Sequence, residues 1–313
     1  MKQNNKIKYG IYALIVILVL LMSGGIYSDI PLEKLKETYA NQTSKFIEID
    51  GMQVHYRDEG IGTPIVLIHG TASSLHTWED WTQELVKNYR VIRMDLPAFG
   101  LTGANTSRDY SIGNYTLFLN EFLSKLQLES FYLVGNSLGG NIAWSYAADY
   151  PEKVKKLVLI DASGLPTNKD QPWIFKLAKT PIINSLFLVL TPKAVIEKNL
   201  EQVYEDDAKI TDELILRYHQ LALRTGNRQA FIDRAKTDFT LGASANIEKL
   251  KSIQTKTLLL WGAKDQWIPL DNGIRMQKLI TNSSLVVIEN SGHVPMEENP
   301  KESLKLFFDF INE

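Results

Sequence analysis

The feature that most constrains this chain is an alternation. Six short apolar runs, Ile65–Ile68, Val91–Met94, Phe131–Val134, Leu157–Ile160, Thr257–Leu260 and Leu285–Ile288, are each followed by helix-like text. Continuous apolar runs of this length suit strands buried on both faces, the condition of a parallel sheet covered by helices. Helical periodicity falls between them, over about Trp78–Asn88, Gly113–Leu126, Gly140–Asp149, Asp271–Ile280 and Pro300–Ile311. Ahead of them, Phe46–Ile49 and Met52–Arg57 flank Asp50-Gly51, a hairpin signal. The pattern predicts an α/β fold with a mostly parallel sheet of about eight strands.

Two segments break the alternation. From Gly164 to about Ala245 no strand is expected, and the text reads as helices over Trp173–Lys179, Pro192–Tyr204, Asp212–Arg224 and Arg228–Lys236. Residues 164–245 are therefore expected to form a helical lid inserted into a core of residues 46–163 and 246–313. Such a lid would cover the carboxyl ends of the strands, where ligands bind in open α/β sheets.

The second break is at the N-terminus. Tyr9–Tyr27 is 19 residues without a charge, preceded by Lys2, Lys6 and Lys8. About 20 apolar residues cover the ~30 Å hydrocarbon core of a bilayer. The expectation is one N-terminal transmembrane helix in residues 1–28, its lysines cytoplasmic. The catalytic domain would then be extracytoplasmic, periplasmic or extracellular. The alternative is a cleaved signal peptide and a secreted protein. The densest run, Ile11–Met22, is 12 residues long, and the small Ser23, Gly24 and Gly25 follow it. Residues 29–45 are polar and read as a tether.

Composition excludes several function classes. Lys+Arg is 34 and Asp+Glu is 36, a net charge of −2. A nucleic-acid binder needs a basic surface to neutralise phosphates, so none is expected as a partner. There is no cysteine, which removes disulfides, thiolate metal sites and thiol nucleophiles. No metal or other cofactor is expected.

The chemistry falls on turns after strands. Gly135-Asn-Ser137-Leu-Gly139 follows the run Phe131–Val134 and precedes a helix. Small residues are needed there because the nucleophile turn is strained and the strand and helix pass closely. Ser137 is the candidate nucleophile. A serine hydroxyl requires a base, and the chain has five histidines. Only His293 lies just past a late strand, in Asn290-Ser-Gly-His293. His69 reads as loop scaffolding, and His55 and His219 as structural. His76 is placed either at the pocket mouth or on the surface. The carboxylate that orients the imidazole and stabilises its cation is expected at Asp265, after Thr257–Leu260, with Asp161 as the alternative. Backbone donors for an oxyanion are expected at Leu138 and at Thr71, ahead of Ala72.

The order Ser137, Asp265, His293, with His69-Gly70, Asp95-Leu-Pro-Ala-Phe-Gly100 and Trp261-Gly-Ala-Lys-Asp265, resembles the α/β-hydrolase superfamily over Lys45–Glu313. Within it, Tyr132–Gly140 through Tyr150-Pro151, joined to the N-terminal apolar segment, is similar to membrane-anchored monoacylglycerol lipases and related serine esterases. The resemblance implies the α/β-hydrolase fold, a Ser–His–Asp mechanism and a small-molecule or lipid ester as substrate. Carbon–carbon bond hydrolases share the Asn-Ser-Leu-Gly-Gly elbow. Many of them carry an aromatic residue after the catalytic histidine, where Val294 stands here. A non-catalytic binding protein of the same fold is the alternative from another class, but it would need no triad.

The lid carries the only clue to substrate. Trp173, Phe175, Phe187 and Leu190 are candidates for an acyl-chain wall. Arg217, Arg224, Arg228 and Arg234 are expected on a solvated face.

Overall fold

Alternate residues of the central strands pack into two separate apolar layers. In Ile65–Ile68, Ile65 and Leu67 join one cluster, and Val66 and Ile68 the other. Strand side chains point to opposite faces in turn, so the uninterrupted apolar run is what a doubly covered strand requires. The computed structural model describes residues 2–22, 25–166, 169–237 and 243–313. Its strands are β1 (Ser44–Ile49), β2 (Met52–Glu59), β3 (Thr63–Ile68), β4 (Tyr89–Met94), β5 (Phe131–Asn136), β6 (Val154–Ile160), β7 (Thr257–Gly262) and β8 (Ser283–Ile288).

These form one eight-stranded sheet in the order β1-β2-β4-β3-β5-β6-β7-β8. The β1–β2 hairpin and the β2–β4 pair are antiparallel. The other neighbours are parallel. Helices Ile112–Lys125 and Leu138–Asp149 bury Phe118, Phe122, Ile142 and Trp144 in one layer, and Pro300–Asn312 buries Phe307 and Phe310 in the other. Among the described residues no named strand falls between β6 and β7, and helices occupy that stretch, including Trp173–Lys179, Ile183–Phe187, Lys193–Leu200, Asp212–Ala222 and Asn227–Lys236.

Three expectations need correction. Residues 29–45 are not a simple tether. They contain the helix Leu32–Tyr39 and the first residues of β1, and Leu35 is 2 % exposed against Leu101 and Leu221. Burying such a side chain contributes about 1.5–3 kcal/mol, enough to seat an otherwise polar helix. The four lid arginines are not a solvated face. Arg228 pairs with Asp29 at 2.6 Å and Arg217 with Glu297, and Arg228 and Arg234 are buried. Their long apolar stems pack inward, and a guanidinium tolerates that position when it is paired. Third, His76 is not at a pocket mouth. It is half-buried, held by Tyr39 O at 3.1 Å and by Ser74 Oγ at 3.1 Å, and burial pushes its pKa down to about 3.

The N-terminal helix runs Lys2–Met22. Ser23 and Gly24, within the expected span, lie outside the described residues. Among the described residues no helix is long and apolar enough to cross a membrane, so the expected N-terminal transmembrane helix and its single-pass topology are not supported. Beyond it, Gly25–Tyr27 is stitched to the lid. Tyr27 N–H donates to Val189 O at 3.0 Å, and Thr191 N–H donates to Gly25 O at 3.2 Å.

Candidate active site

Ser137 sits where β5 turns into Leu138–Asp149, at φ 55° and ψ −114°. A positive φ on a non-glycine residue is strained, and the surroundings hold it. Ser137 N–H donates to Ile160 O at 3.0 Å, while Ser163 N–H and Asn141 N–H each donate to Ser137 O at 3.0 Å. Close approach explains two glycines of the motif. A Cβ on Gly135 would lie 2.2 Å from Gly139 O, and one on Gly139 would lie 2.3 Å from Ile68 O. The turn thus brings the Ser137 side chain to the carboxyl edge of the sheet.

His293 arrives from the loop after β8, and Asp265 from the turn after β7. His293 Nδ1 donates to Asp265 Oδ2 at 2.7 Å, the tautomer following from the carboxylate partner. Both groups are buried. Trp267 N–H and Ile268 N–H donate to Asp265 Oδ1 at 2.7 and 3.0 Å, so that carboxylate is fixed on both oxygens. The histidine backbone is pinned as well. His293 N–H donates to Val203 O at 2.7 Å, and Asn136 Nδ2 donates to His293 O at 2.9 Å. The Trp267 ring lies 5.4 Å from the imidazole. His293 Nε2 is buried with no hydrogen-bond partner among the described residues. It lines one small cavity with Ser137, Gly70, Thr71 and Ala72.

Of the remaining candidates Thr71 and its alternative Ala72 line this cavity, and the others lie outside its lining. Leu138 is the first residue of its helix, directly after Ser137. Asp161, after β6, is fully buried and has no bond to His293. Its Oδ1 accepts from Gly262 N–H at 3.0 Å. His69 is scaffolding. Its Nδ1 donates to Gly70 O at 2.7 Å, its Nε2 accepts from Leu96 N–H at 2.9 Å, and burial lowers its pKa. His55 pairs with Asp95 at 2.7 Å in the core, and His219 Nε2 donates to Thr191 O at 2.8 Å in the lid.

A second, largely apolar cavity adjoins the first, and Ala72, Ser73, Asn199 and Trp267 border both. Ile174, Phe187, Val195, Ile196, Leu221 and Phe231 line it. Of the four lid candidates the structure brings only Phe187 to this wall. Phe175 stands behind it, 5.7 Å from the Phe231 ring and 5.6 Å from that of Trp267. Trp173 borders a surface depression beside Lys176 and Gln202. Leu190 is buried outside this lining, and its backbone pairs with that of Ile26. Sequence reading missed Trp267, Phe231 and Asn199. Trp267 carried a signal, two positions past Asp265; the other two occupy ordinary helical positions.

A family model described as alpha/beta hydrolase fold matches residues 63–300. The chain belongs to the α/β-hydrolase family. A 2-hydroxy-6-oxo-2,4-heptadienoate hydrolase of Pseudomonas putida is 26% identical over 280 residues, covering 86% of this chain and 96% of the relative. The monoacylglycerol lipase ABHD6 of Bos taurus is 26% identical over 254 residues, 79% of this chain and 74% of the relative. The crystal structure of a meta-cleavage product hydrolase matches with a TM-score of 0.76 at 27% identity, covering 86% of this chain and 98% of that one. For this α/β hydrolase, Ser137, His293 and Asp265 stand at the turns where the family's chemistry is expected.

Proposed function

We propose that this α/β hydrolase cleaves carboxylic esters, with Ser137, His293 and Asp265 as its triad. Ser137 Oγ attacks the ester carbonyl and gives its proton to His293 Nε2. Asp265 stabilises the imidazolium, and the amides of Leu138 and Thr71 receive the oxyanion. Collapse expels the alcohol, which takes the proton from His293. Water, deprotonated by the same nitrogen, then releases the acid from Ser137. The free Nε2 of His293, in one cavity with Ser137, carries this reading. No step calls for a cofactor.

The substrate class is argued from the larger cavity. Its lining is apolar apart from a few groups, and its one charged lining residue, Arg228, is already engaged by Asp29 at 2.6 Å. An apolar acyl chain suits that wall better than a carboxylated one. The second reading is carbon–carbon bond hydrolysis by the same triad, and the dienoate hydrolase relatives support it comparably. A hydrolysis panel separates the two: p-nitrophenyl esters from acetate to decanoate against a 2-hydroxy-6-oxo-dienoate. The ester reading expects turnover that rises with acyl length and little on the dienoate; the reverse order would replace it. In the same panel Phe187→Ser should lower kcat/KM on medium-chain esters on the order of tenfold relative to acetate, the scale of a lost apolar contact. Leu190→Ser should leave that ratio unchanged, because Leu190 does not line the cavity. Equal ratios for both variants would remove Phe187 from the acyl site.

We also infer that the apolar part of Lys2–Met22 holds the enzyme on a membrane. Ile, Leu and Val dominate the uncharged run after Lys8, and Tyr9, Tyr12, Leu14, Val16 and Val19 are exposed. The protein should sediment with membranes and stay there in high salt. A mature N-terminus just after Gly25, or release by salt, would replace the anchor with a signal peptide or a peripheral contact.

A further inference from the structure

The mechanism above uses one of two buried carboxyls grouped with His293. Asp161 follows β6, between the strands that deliver Ser137 and Asp265. The backbone delivers it under strain, at φ 44°. It is fully buried, and while Oδ1 accepts from Gly262 N–H, Oδ2 has no hydrogen-bond partner among the described residues. An oxygen of Asp161, an oxygen of Asp265 and a ring nitrogen of His293 all lie within 4.8 Å of one another.

Two carboxylates this close and this dry cannot both ionise cheaply. Their surroundings decide which one does. Asp265 receives two backbone N–H bonds and the imidazole. Asp161 receives one. Burial, then the Asp265 charge, hold Asp161 well above the usual carboxylate range; the Gly262 amide opposes this, while a side-chain interaction with Asp265 and the charge of Glu298 add to it. The spare carboxyl is therefore the one held neutral. The Asp161 carboxyl stands at most 4.8 Å from a ring nitrogen of His293, close enough for a turn about its own torsions to bring the two together.

We propose that Asp161 is a reserve acid of the triad. It stands neutral beside the Asp265–His293 pair, and it ionises and accepts the His293 Nδ1–H when Asp265 cannot. In doing so it gives its proton to solvent and takes over the stabilisation of the imidazolium. Asp161 is thus a positioning residue that acts through His293. The inference rests on the triad reading.

The test is a double-mutant cycle of Asp161→Asn and Asp265→Asn. It is read as the rate of labelling by a fluorophosphonate and as kcat/KM on p-nitrophenyl acetate across pH. Asp161→Asn alone should cost less than about threefold. Asp265→Asn should cost on the order of 10², and the double variant a further tenfold or more, toward the ~10⁴ seen when a triad acid has no substitute. The acid limb of Asp265→Asn should follow Asp161 ionisation and vanish in the double variant. A merely structural Asp161 would cost the same factor in both backgrounds and move no pH limb; that result overturns the proposal. If the Asn variant does not fold, Asp161→Ser completes the cycle. Independently, the wild type at neutral pH should show the infrared carbonyl band of a protonated carboxyl, and its absence also overturns the proposal. A wild type that resists the fluorophosphonate would refute the triad itself, and the inference with it.

Discussion

Ser137→Ala should lower kcat on the order of 10³–10⁶ and leave the fold intact. The size follows from the chemistry. Without Oγ there is no acyl-enzyme, and what remains is the binding and oxyanion contribution of the cavity. The tolerance of the fold follows from the backbone. Ser137 is held at φ 55° through its N–H to Ile160 O and its C=O to the Ser163 and Asn141 amides, and none of these bonds uses the side-chain oxygen. Alanine in that conformation keeps the strain the serine already bears. Steady-state kinetics with a thermal melt checks both halves. A variant that kept more than about a tenth of wild-type activity would show the nucleophile to be elsewhere.

The parts of this molecule that were legible in its sequence are those where one local rule dictates the residue. Ile65–Ile68 and Leu157–Ile160 are apolar without interruption because both faces of the sheet are covered. Gly135 and Gly139 are glycines because a Cβ would strike a carbonyl oxygen. Asp265 and His293 follow strands, and the strands set where they end. The lid obeys no such rule. Phe187 and Leu190 look equivalent in sequence, yet one lines the cavity and the other bridges to Ile26, because Gly25–Tyr27 returns across that lid segment. The lid arginines looked solvated because their partners, Asp29 and Glu297, are distant in sequence. Residues 29–45 looked like a linker because the surface that buries Leu35 is built from Leu101 and Leu221. In each case the deciding contact is long-range.

His293→Gln should cost as much as Ser137→Ala, and combining the two should cost almost nothing more. The five histidines were equivalent candidates by residue type alone, and the geometry separates them. His55 has both ring nitrogens engaged, by Asp95 and Ser44; His69 has both engaged, by Gly70 O and the Leu96 amide; His76 has both engaged, by Ser74 and Tyr39. His219 lies in the lid, bonded to Thr191 O. Only His293 combines a fixed Nδ1, an unpartnered Nε2 and a wall shared with Ser137. Glutamine in its place can still donate a hydrogen bond toward Asp265, so the variant should fold, but it offers no base near neutral pH. A serine without a base is as inert as no serine, which is why triad losses do not add. The measurement is kcat/KM for the two single variants and the double. Losses that multiplied would mean that Ser137 and His293 act in separate steps, and a His293→Gln variant within about tenfold of wild type would mean that another group takes the Ser137 proton.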